Sequence, residues 1–217
     1  MRSIFLIISL AFLQQTLMAT LAEKEGYYVT MQDDTIHGII KVRIDYLEEL
    51  YYFRIQYGAF FEDSLGNLTA LKPDDVKSFS FYHKYQYVKF VSLEYDMNYR
   101  IFLHAINEEG AVKLYVHYRN VVDTRTDYGS LAYYLLAFPA SSEVDIFFML
   151  KPDGSTLKYG KYSGKKKVAL FFSDYPQLHS KIERGLYGYT AVYRMVREYN
   201  QWYSINRKEV LRSAPER

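Results

Sequence analysis

The stretch Tyr99-Arg100-Ile101-Phe102-Leu103-His104-Ala105-Ile106-Asn107-Glu108-Glu109-Gly110-Ala111-Val112-Lys113-Leu114-Tyr115-Val116-His117-Tyr118 sets the fold class. Apolar and polar residues alternate on both sides of a polar quartet that ends in glycine. A period of two belongs to a strand, and the quartet is hairpin turn chemistry. A four-residue loop, Asn107–Gly110, sets Ile106 opposite Ala111. In that register Ile101, Leu103 and Ala105 share one face with Val112, Leu114 and Val116, while Arg100, Phe102, His104, Lys113, Tyr115 and His117 share the other. The first face is expected to be core. The second is amphipathic and presents Phe102 and Tyr115, whose rings could stack on a sugar or a partner but more commonly pack across strands beneath a second layer, here the C-terminal helices.

Outward from this hairpin the chain repeats the pattern. Tyr27, Val29 and Met31 alternate up to Asp33-Asp34, and Ile36, Ile40 and Val42 continue beyond it. A two-residue loop at the aspartates predicts Met31 opposite Ile36 and Tyr27 opposite Ile40, with all six apolar residues on one core face. Tyr51–Tyr57, Val76–Tyr82 and Tyr87–Leu93 read as further strands. Glu62–Asn67 and Lys72-Pro73-Asp74-Asp75 carry turn chemistry. Leu131–Ala137 and Glu143–Leu150 read as another hairpin, followed by a tight turn at Lys151-Pro152-Asp153-Gly154.

After Gly160 the period becomes helical. Helices are expected over Lys165–Phe172, from Pro176 to near Gly185, and over Thr190–Ser204, where Val192, Val196, Tyr199 and Tyr203 form a docking stripe. Residues 205–217 read as a flexible tail. The expected fold is therefore α+β: antiparallel hairpins forming a sheet or partial barrel, with two to three C-terminal helices packed on it. No internal repeat or low-complexity linker divides residues 23–204, which are expected to form one β-rich domain.

Of 217 residues, 49% are apolar, 18% aromatic and 24% charged, which suits a chain with a packed core. A net charge of +2 removes the electrostatic case for a nucleic-acid partner. The absence of cysteine excludes disulfides, thiolate metal sites and cysteine nucleophiles. The N-terminus reads as an export signal. Met1-Arg2-Ser3 is a short positive start, Ile4–Leu13 is an apolar run, and Thr20-Leu21-Ala22 offers small residues for cleavage after Ala22, with Ala19 as the second choice. No second long apolar segment follows, so no transmembrane span is expected, and peripheral membrane contact stays open. These features point to the periplasm, the outer-membrane periphery or the extracellular space.

Residues 26–30 (Gly26-Tyr27-Tyr28-Val29-Thr30) through Asp34-Thr35-Ile36-His37-Gly38-Ile39-Ile40-Lys41 resemble the opening of small exported β-rich proteins of the Bacteroidota group. The resemblance returns at Lys72–Phe79, at Val112-Lys113-Leu114-Tyr115, and at Phe171-Phe172-Ser173-Asp174-Tyr175-Pro176 followed by Tyr199-Asn200. The chain departs from that group at Asp33, where glycine is common, and at Tyr175, where cysteine is common. The resemblance implies a signal peptide, a β-rich body and C-terminal helices, and it carries no established activity.

Candidate chemistries are few. His37, His83, His104, His117 and His179 invite a metal, but the expected register sets His104 opposite Lys113 and His117 opposite Arg100. The two histidines then stand roughly 13 Å apart along the strand, so ordinary surface histidines and no metal are expected. Asp33-Asp34, Glu48-Glu49, Asp74-Asp75 and Glu108-Glu109 sit at turns or strand edges, where adjacent carboxylates do not converge as those of a glycoside hydrolase do. No nucleophile elbow is present. Gly160-Lys161-Tyr162-Ser163-Gly164-Lys165 has the wrong glycine spacing for a phosphate loop, and Lys166 replaces the required hydroxyl. No cofactor is expected. Lys165, Lys166 and Lys167 form a positive patch, either solvated charge or a contact for anionic headgroups. The leading expectation is an exported, non-enzymatic binding or structural module of the cell envelope with a protein or glycan partner. The alternative is a carbohydrate- or peptidoglycan-binding protein, hydrolytic or not, whose exposed tyrosines stack on sugars while the turn carboxylates bind hydroxyls.

Overall fold

The computed structural model describes residues 20–44, 48–96, 99–121 and 141–213. Ten strands occur in the order β1 (Thr20–Thr30), β2 (Thr35–Ile44), β3 (Ala59–Glu62), β4 (Leu68–Leu71), β5 (Val76–His83), β6 (Gln86–Asp96), β7 (Tyr99–Asn107), β8 (Lys113–Val121), β9 (Ser141–Leu150) and β10 (Thr156–Gly160). The helices are α1 (Tyr52–Ile55), α2 (Lys165–Phe171), α3 (Pro176–Glu183) and α4 (Val192–Ser213). The antiparallel sheet has the order β10-β9-β8-β7-β6-β5-β1-β2-β3-β4. Among the described residues it is open, so the expected alternative of a partial barrel is corrected: β10 and β4 are the edges of this strand order and do not pair with each other. The expected strand at Leu131–Ala137 and residues 1–19 of the expected signal peptide lie outside the described residues. No helix among the described residues is long and apolar enough to cross a membrane.

Although no linker is visible in the sequence, the chain gathers into two compact units. The first runs through Phe102 and is rejoined at Arg119; the second takes Leu103–Tyr118 and everything from Val144 onward.

The first unit buries one face of β1, β2, β3, β5 and β6. Ile40, Val42, Phe61, Phe79, Phe81, Val88 and Phe90 fill it. Phe79 stacks on Phe90 at 5.3 Å and meets Phe102 edge-on at 4.8 Å, the offset and T-shaped geometries that aromatic quadrupoles favour. The expected strand at Tyr51–Tyr57 is instead the single turn α1. The N–H groups of Arg54 and Ile55 bond to the Tyr51 carbonyl, which carries Ile55 into the core beside Leu50 and brings the Tyr52 ring against it. A four-residue helix has too short a period to be separated from an aromatic strand by pattern alone.

The β1–β2 register is also corrected. Val29 pairs with Thr35, Tyr28 with Ile36 and Tyr27 with His37. The turn is longer than two residues because the Thr30 hydroxyl accepts the N–H groups of Gln32 and Asp34, and Asp33 adopts φ 73°. A shift of three residues inverts the facing of β1. Tyr28, not Tyr27, now lies on the core side, its ring edge-on to Phe61 at 4.9 Å.

In the second unit Leu150 pairs with Thr156 across the expected Lys151–Gly154 turn, closed by Lys151 N–H to Ser155 O. Helix α3 has Pro176 in its first turn, where its missing N–H costs nothing. It ends with Gly185 at φ 75°, the Gly185 N–H on the Ile182 carbonyl and the Leu186 N–H on the Lys181 carbonyl, a Schellman closure. Helix α4 buries Val192, Val196 and Tyr199 of the expected stripe together with Met195, while Tyr203 is half-buried. It continues to Ser213, so the tail expected from residue 205 is corrected: no glycine or proline interrupts residues 205–213, and extending a nucleated helix is easy.

The β7–β8 register is three residues from the expected one: His104 pairs with Val116, Ala105 with Tyr115 and Asn107 with Leu114, with a bulge between Ala105 and Asn107. Residues 108–112 leave the ladder for α4. Asn200 Oδ1 accepts the Val112 N–H at 2.7 Å, and its amide donates to the Val112 carbonyl at 3.0 Å. A side chain remote in sequence thus fixes the loop length, and the loop length fixes the register.

Candidate functional site: the open face of the first unit

Because β1 turns over, the face opposite the phenylalanine core carries a second set of rings. Ser80 on β5 pairs with Lys89 on β6 and with Tyr27 on β1, and Tyr27 pairs with His37 on β2. The next residues on the same face are Tyr87 on β6, paired with Tyr82 on β5, then Glu25 on β1, paired with Ile39 on β2, and Glu62 on β3. Side chains alternate across a strand, so these residues project together and away from the core. Tyr82 and Tyr87 are open to solvent, at 45% and 69% exposed, as are His37 and Glu25, whereas Tyr27 and Lys89 are half-buried and Ser80 is buried. The Tyr82 and Tyr87 rings meet at 5.4 Å, edge to face, and those of Tyr27 and His37 at 5.5 Å.

The hairpin that presents Tyr82 and Tyr87 turns through Lys84 and Tyr85 at φ 44° and 70°. Both central residues are left-handed, as a type I′ turn requires, yet neither is the asparagine or glycine that normally fills it. The conformation costs about 1–2 kcal/mol for each such residue. It holds the Tyr85 ring 93% exposed at the tip. Lys84 is anchored by Glu49.

Charge on this face is mixed, with Lys41 and Lys89 standing among Glu23, Glu25 and Glu62. Lys41 is ion-paired with both Glu23 and Glu62, which raises its pKa through the hydrogen bonds to those carboxylates. Glu25 is exposed, with no hydrogen bond or ion pair recorded among the described residues.

The other polar clusters are internal. His83, on the core side of the same hairpin, is buried with neither ring nitrogen hydrogen-bonded. Burial lowers its pKa, Lys24 and Lys84 lower it further, and Glu49 and Glu48 oppose them. In the second unit Lys151 is buried with its Nζ 2.7 Å from Asp174 Oδ1 and 4.8 and 4.9 Å from the Tyr199 and Phe171 rings. The Tyr199 hydroxyl donates to the other Asp174 oxygen. Burial and that bond raise its pKa. This paired, aromatic-boxed ammonium ties the β9–β10 turn to α4.

His117 Nδ1 lies 3.2 Å from Asp145 Oδ2; burial lowers its pKa, Asp145 opposes the shift and Lys158 adds to it. His104 Nδ1 lies 2.8 Å from the Tyr118 hydroxyl, and burial pushes its pKa down to about 4. The expectation of surface histidines is therefore corrected for His83, His104 and His117. The shifted register also removes the cations expected opposite His104 and His117. Among the described residues no three histidine or carboxylate side chains are grouped to hold a metal ion.

Phe102 and Tyr115, expected on an exposed polar face, are both buried. Phe102 belongs to the core of the first unit, and Tyr115 points its hydroxyl toward Glu108 at 3.5 Å within the second. Neither presents an open ring: Ile101, Phe102 and Leu103 are buried in succession, as are Leu114, Tyr115 and Val116, so both faces are covered on this part of β7 and β8. Lys165, Lys166 and Lys167 are exposed in the first turn of α2, whose Gly164 cap offers no side chain to its N–H groups. All four acidic pairs lie in loops: Asp33 and Glu48 have positive φ, and Asp75 N–H bonds to the Lys72 carbonyl. The open-face tyrosines lay in two recognised strands, but only the pairing shows that they gather on one side with Tyr27.

No protein family, curated protein or solved structure matches the chain.

Proposed function

We propose that the protein is an exported, non-enzymatic binding module of the bacterial cell envelope whose contact surface is the open face of the first unit. One observation carries this reading: Tyr82, Tyr85 and Tyr87 are exposed together on a hairpin that accepts backbone strain to present them. Exposed aromatic clusters on a rigid sheet are contact surfaces more often than stabilising features. The polar clusters elsewhere hold turns and helices together. The N-terminal apolar run and the resemblance to exported Bacteroidota proteins support the compartment.

Cleavage after Ala19 fits the strand better than cleavage after Ala22. Thr20, Leu21 and Ala22 pair with Ile44, Arg43 and Val42, and the second cut would strip those partners from β2. The full chain expressed in a bacterial host is expected outside the cytoplasm, with an intact mass that starts at Thr20. Purified protein is expected to co-sediment with envelope fragments, and the double substitution Tyr82→Ser with Tyr87→Ser is expected to weaken this at least tenfold. Cytoplasmic, unprocessed protein would refute the compartment; unchanged sedimentation of the double variant would refute the surface.

A further inference from the structure

We propose that the second unit carries a peripheral docking surface for an anionic lipid bilayer, formed by the turn at residues 160–164, the outward side of α2 and the corner at residues 184–186 that ends α3. It lies within the second unit and does not depend on the open face of the first. Three observations carry it.

The first is charge. The near-neutral whole hides an asymmetry: the second unit holds fifteen lysine and arginine residues against nine aspartate and glutamate, and the first unit twelve against sixteen. Between Asp153 and Asp174 the chain has five lysines and no acidic residue. Lys161, Lys165, Lys166 and Lys167 are exposed, with no ion pair recorded among the described residues. The acids of this unit that could neutralise them are engaged elsewhere. Asp174 holds Lys151 and Tyr199, Glu198 holds Lys181 and Tyr187, and Asp145 stands with His117 and Lys158. Asp153 accepts the Ser155 N–H in the turn at the other end of β10. Glu183, 3.7 Å from His179, borders the surface and is balanced by Arg184 beside it.

The second is geometry. The Ser163 N–H bonds to the Gly160 carbonyl and its hydroxyl accepts the Gly160 N–H, which closes the turn and leaves Lys161 and Tyr162 at its tip. Helix α2 buries Val168 and Ala169, and Phe172 follows them inward. Lys166, Lys167 and Leu170, related by three and four positions, therefore share the opposite side. Lys165 Nζ lies against Gly185, 3.2 Å from where a Cβ there would stand, and so brings Arg184 and Leu186 alongside.

The third is the apolar content. Tyr162 is 92%, Leu170 70% and Leu186 58% exposed, each next to these cations. The lysines do not serve the helix: they occupy a first turn that has no acidic residue and no side-chain cap, where cations oppose the macrodipole. A bilayer with anionic headgroups uses both features, phosphates for the ammonium groups and the acyl boundary for the apolar side chains. A soluble polyanion would use only the first.

The test is sedimentation of the full chain with vesicles of phosphatidylcholine, pure or containing about 30% phosphatidylglycerol to supply the anionic surface. The apolar N-terminal run is common to all variants, so differences among them report the second unit. The chain is expected to bind the anionic vesicles more tightly than the neutral ones. Each lysine at an anionic surface strengthens binding about fivefold, so Lys165→Gln with Lys166→Gln and Lys167→Gln is expected to weaken it about a hundredfold. Leu170→Ser with Leu186→Ser is expected to weaken it severalfold. Tyr82→Ser with Tyr87→Ser, in the first unit, is expected to leave it unchanged. All substituted side chains are exposed, and an unchanged melting transition verifies the fold of each variant. Equal binding to the two vesicles, or binding unaffected by the lysine substitutions, overturns the proposal. Binding that needs the lysines but not the leucines, with inorganic polyphosphate bound as tightly as the vesicles, assigns the surface to a soluble polyanion and overturns the membrane. In 1 M salt, where the Debye length is about 3 Å, the lysine contact is lost while an aromatic contact through Tyr82 and Tyr87 persists, so this surface and the open face of the first unit fail separately.

Discussion

Replacing Asn200 with alanine tests how the second unit sets its own register. The Asn200 amide holds both backbone groups of Val112, at 2.7 Å and 3.0 Å, and reaches the Glu109 carbonyl at 3.4 Å. Val112 itself is buried, so truncation leaves an N–H and a C=O without protein partners. A buried group left unsatisfied costs about 1–3 kcal/mol. Asn200 is itself half-buried, so water can reach part of the gap and the lower half of that range applies. The expected loss is about 2–4 kcal/mol for the two groups together. In urea, with a slope of about 2 kcal/mol/M, the midpoint should fall by about 1–2 M at constant slope. Asn200→Asp should be at least as damaging, because it keeps the acceptor for the Val112 N–H but turns a carboxylate toward two carbonyls. Hydrogen exchange at the Val112 amide should accelerate in both variants. A loss below about 0.5 kcal/mol, the level of an ordinary surface substitution, would refute the claim that this side chain holds the loop out of the ladder.

Gly26→Ala should be severely destabilising, by about 3 kcal/mol or more, because the new Cβ would lie 2.2 Å from the Ser80 carbonyl oxygen; an unchanged melting temperature would contradict the β1–β5 register. His83→Leu should stabilise the chain by about 1–2 kcal/mol in urea unfolding, since it removes a buried imidazole with no hydrogen bond, and destabilisation would show that the ring has a partner in solution. His104 should make stability fall on acidification. Its pKa lies at about 4 in the folded chain, against about 6.5 when unfolded, so between those values only the unfolded chain takes up the proton. From pH 6.5 to 4 the wild type should lose about 3 kcal/mol more than His104→Gln, the comparison cancelling the contributions of His83 and His117. Equal losses in the two proteins would refute a buried neutral imidazole.

Alternation and turn chemistry by themselves determined that this chain is built from antiparallel hairpins followed by helices. The β5–β6 hairpin, the Lys151–Gly154 turn, the Pro176 start of α3 and the stripe of α4 were legible because each depends on residues within a few positions of one another. The motif residues that prompted a family resemblance are explained as contacts: Gly26 and Gly38 allow close approach to Ser80 and Phe61, Asp174 holds Lys151 and Tyr199, and Asn200 holds Val112. The candidate site was only half legible. Tyr82 and Tyr87 flank a visible turn, but a two-residue β1–β2 loop, the simplest that the aspartates allow, places Tyr27 in the core.

Tertiary structure alone decided the registers, and with them which faces are buried. Local pattern fixes that a strand has two faces, but a displacement of three residues exchanges them without changing the alternation. In β1 the displacement comes from a threonine that closes a longer turn. In β7–β8 it comes from an asparagine on a helix 88 residues away, a contact that no reading of neighbouring residues contains. The first shift moved Tyr27 out of the core and onto the open face; the second set His104 opposite Val116 and away from Lys113, because pairing energy is local while the choice between two equally regular pairings belongs to the contacts that close the loops.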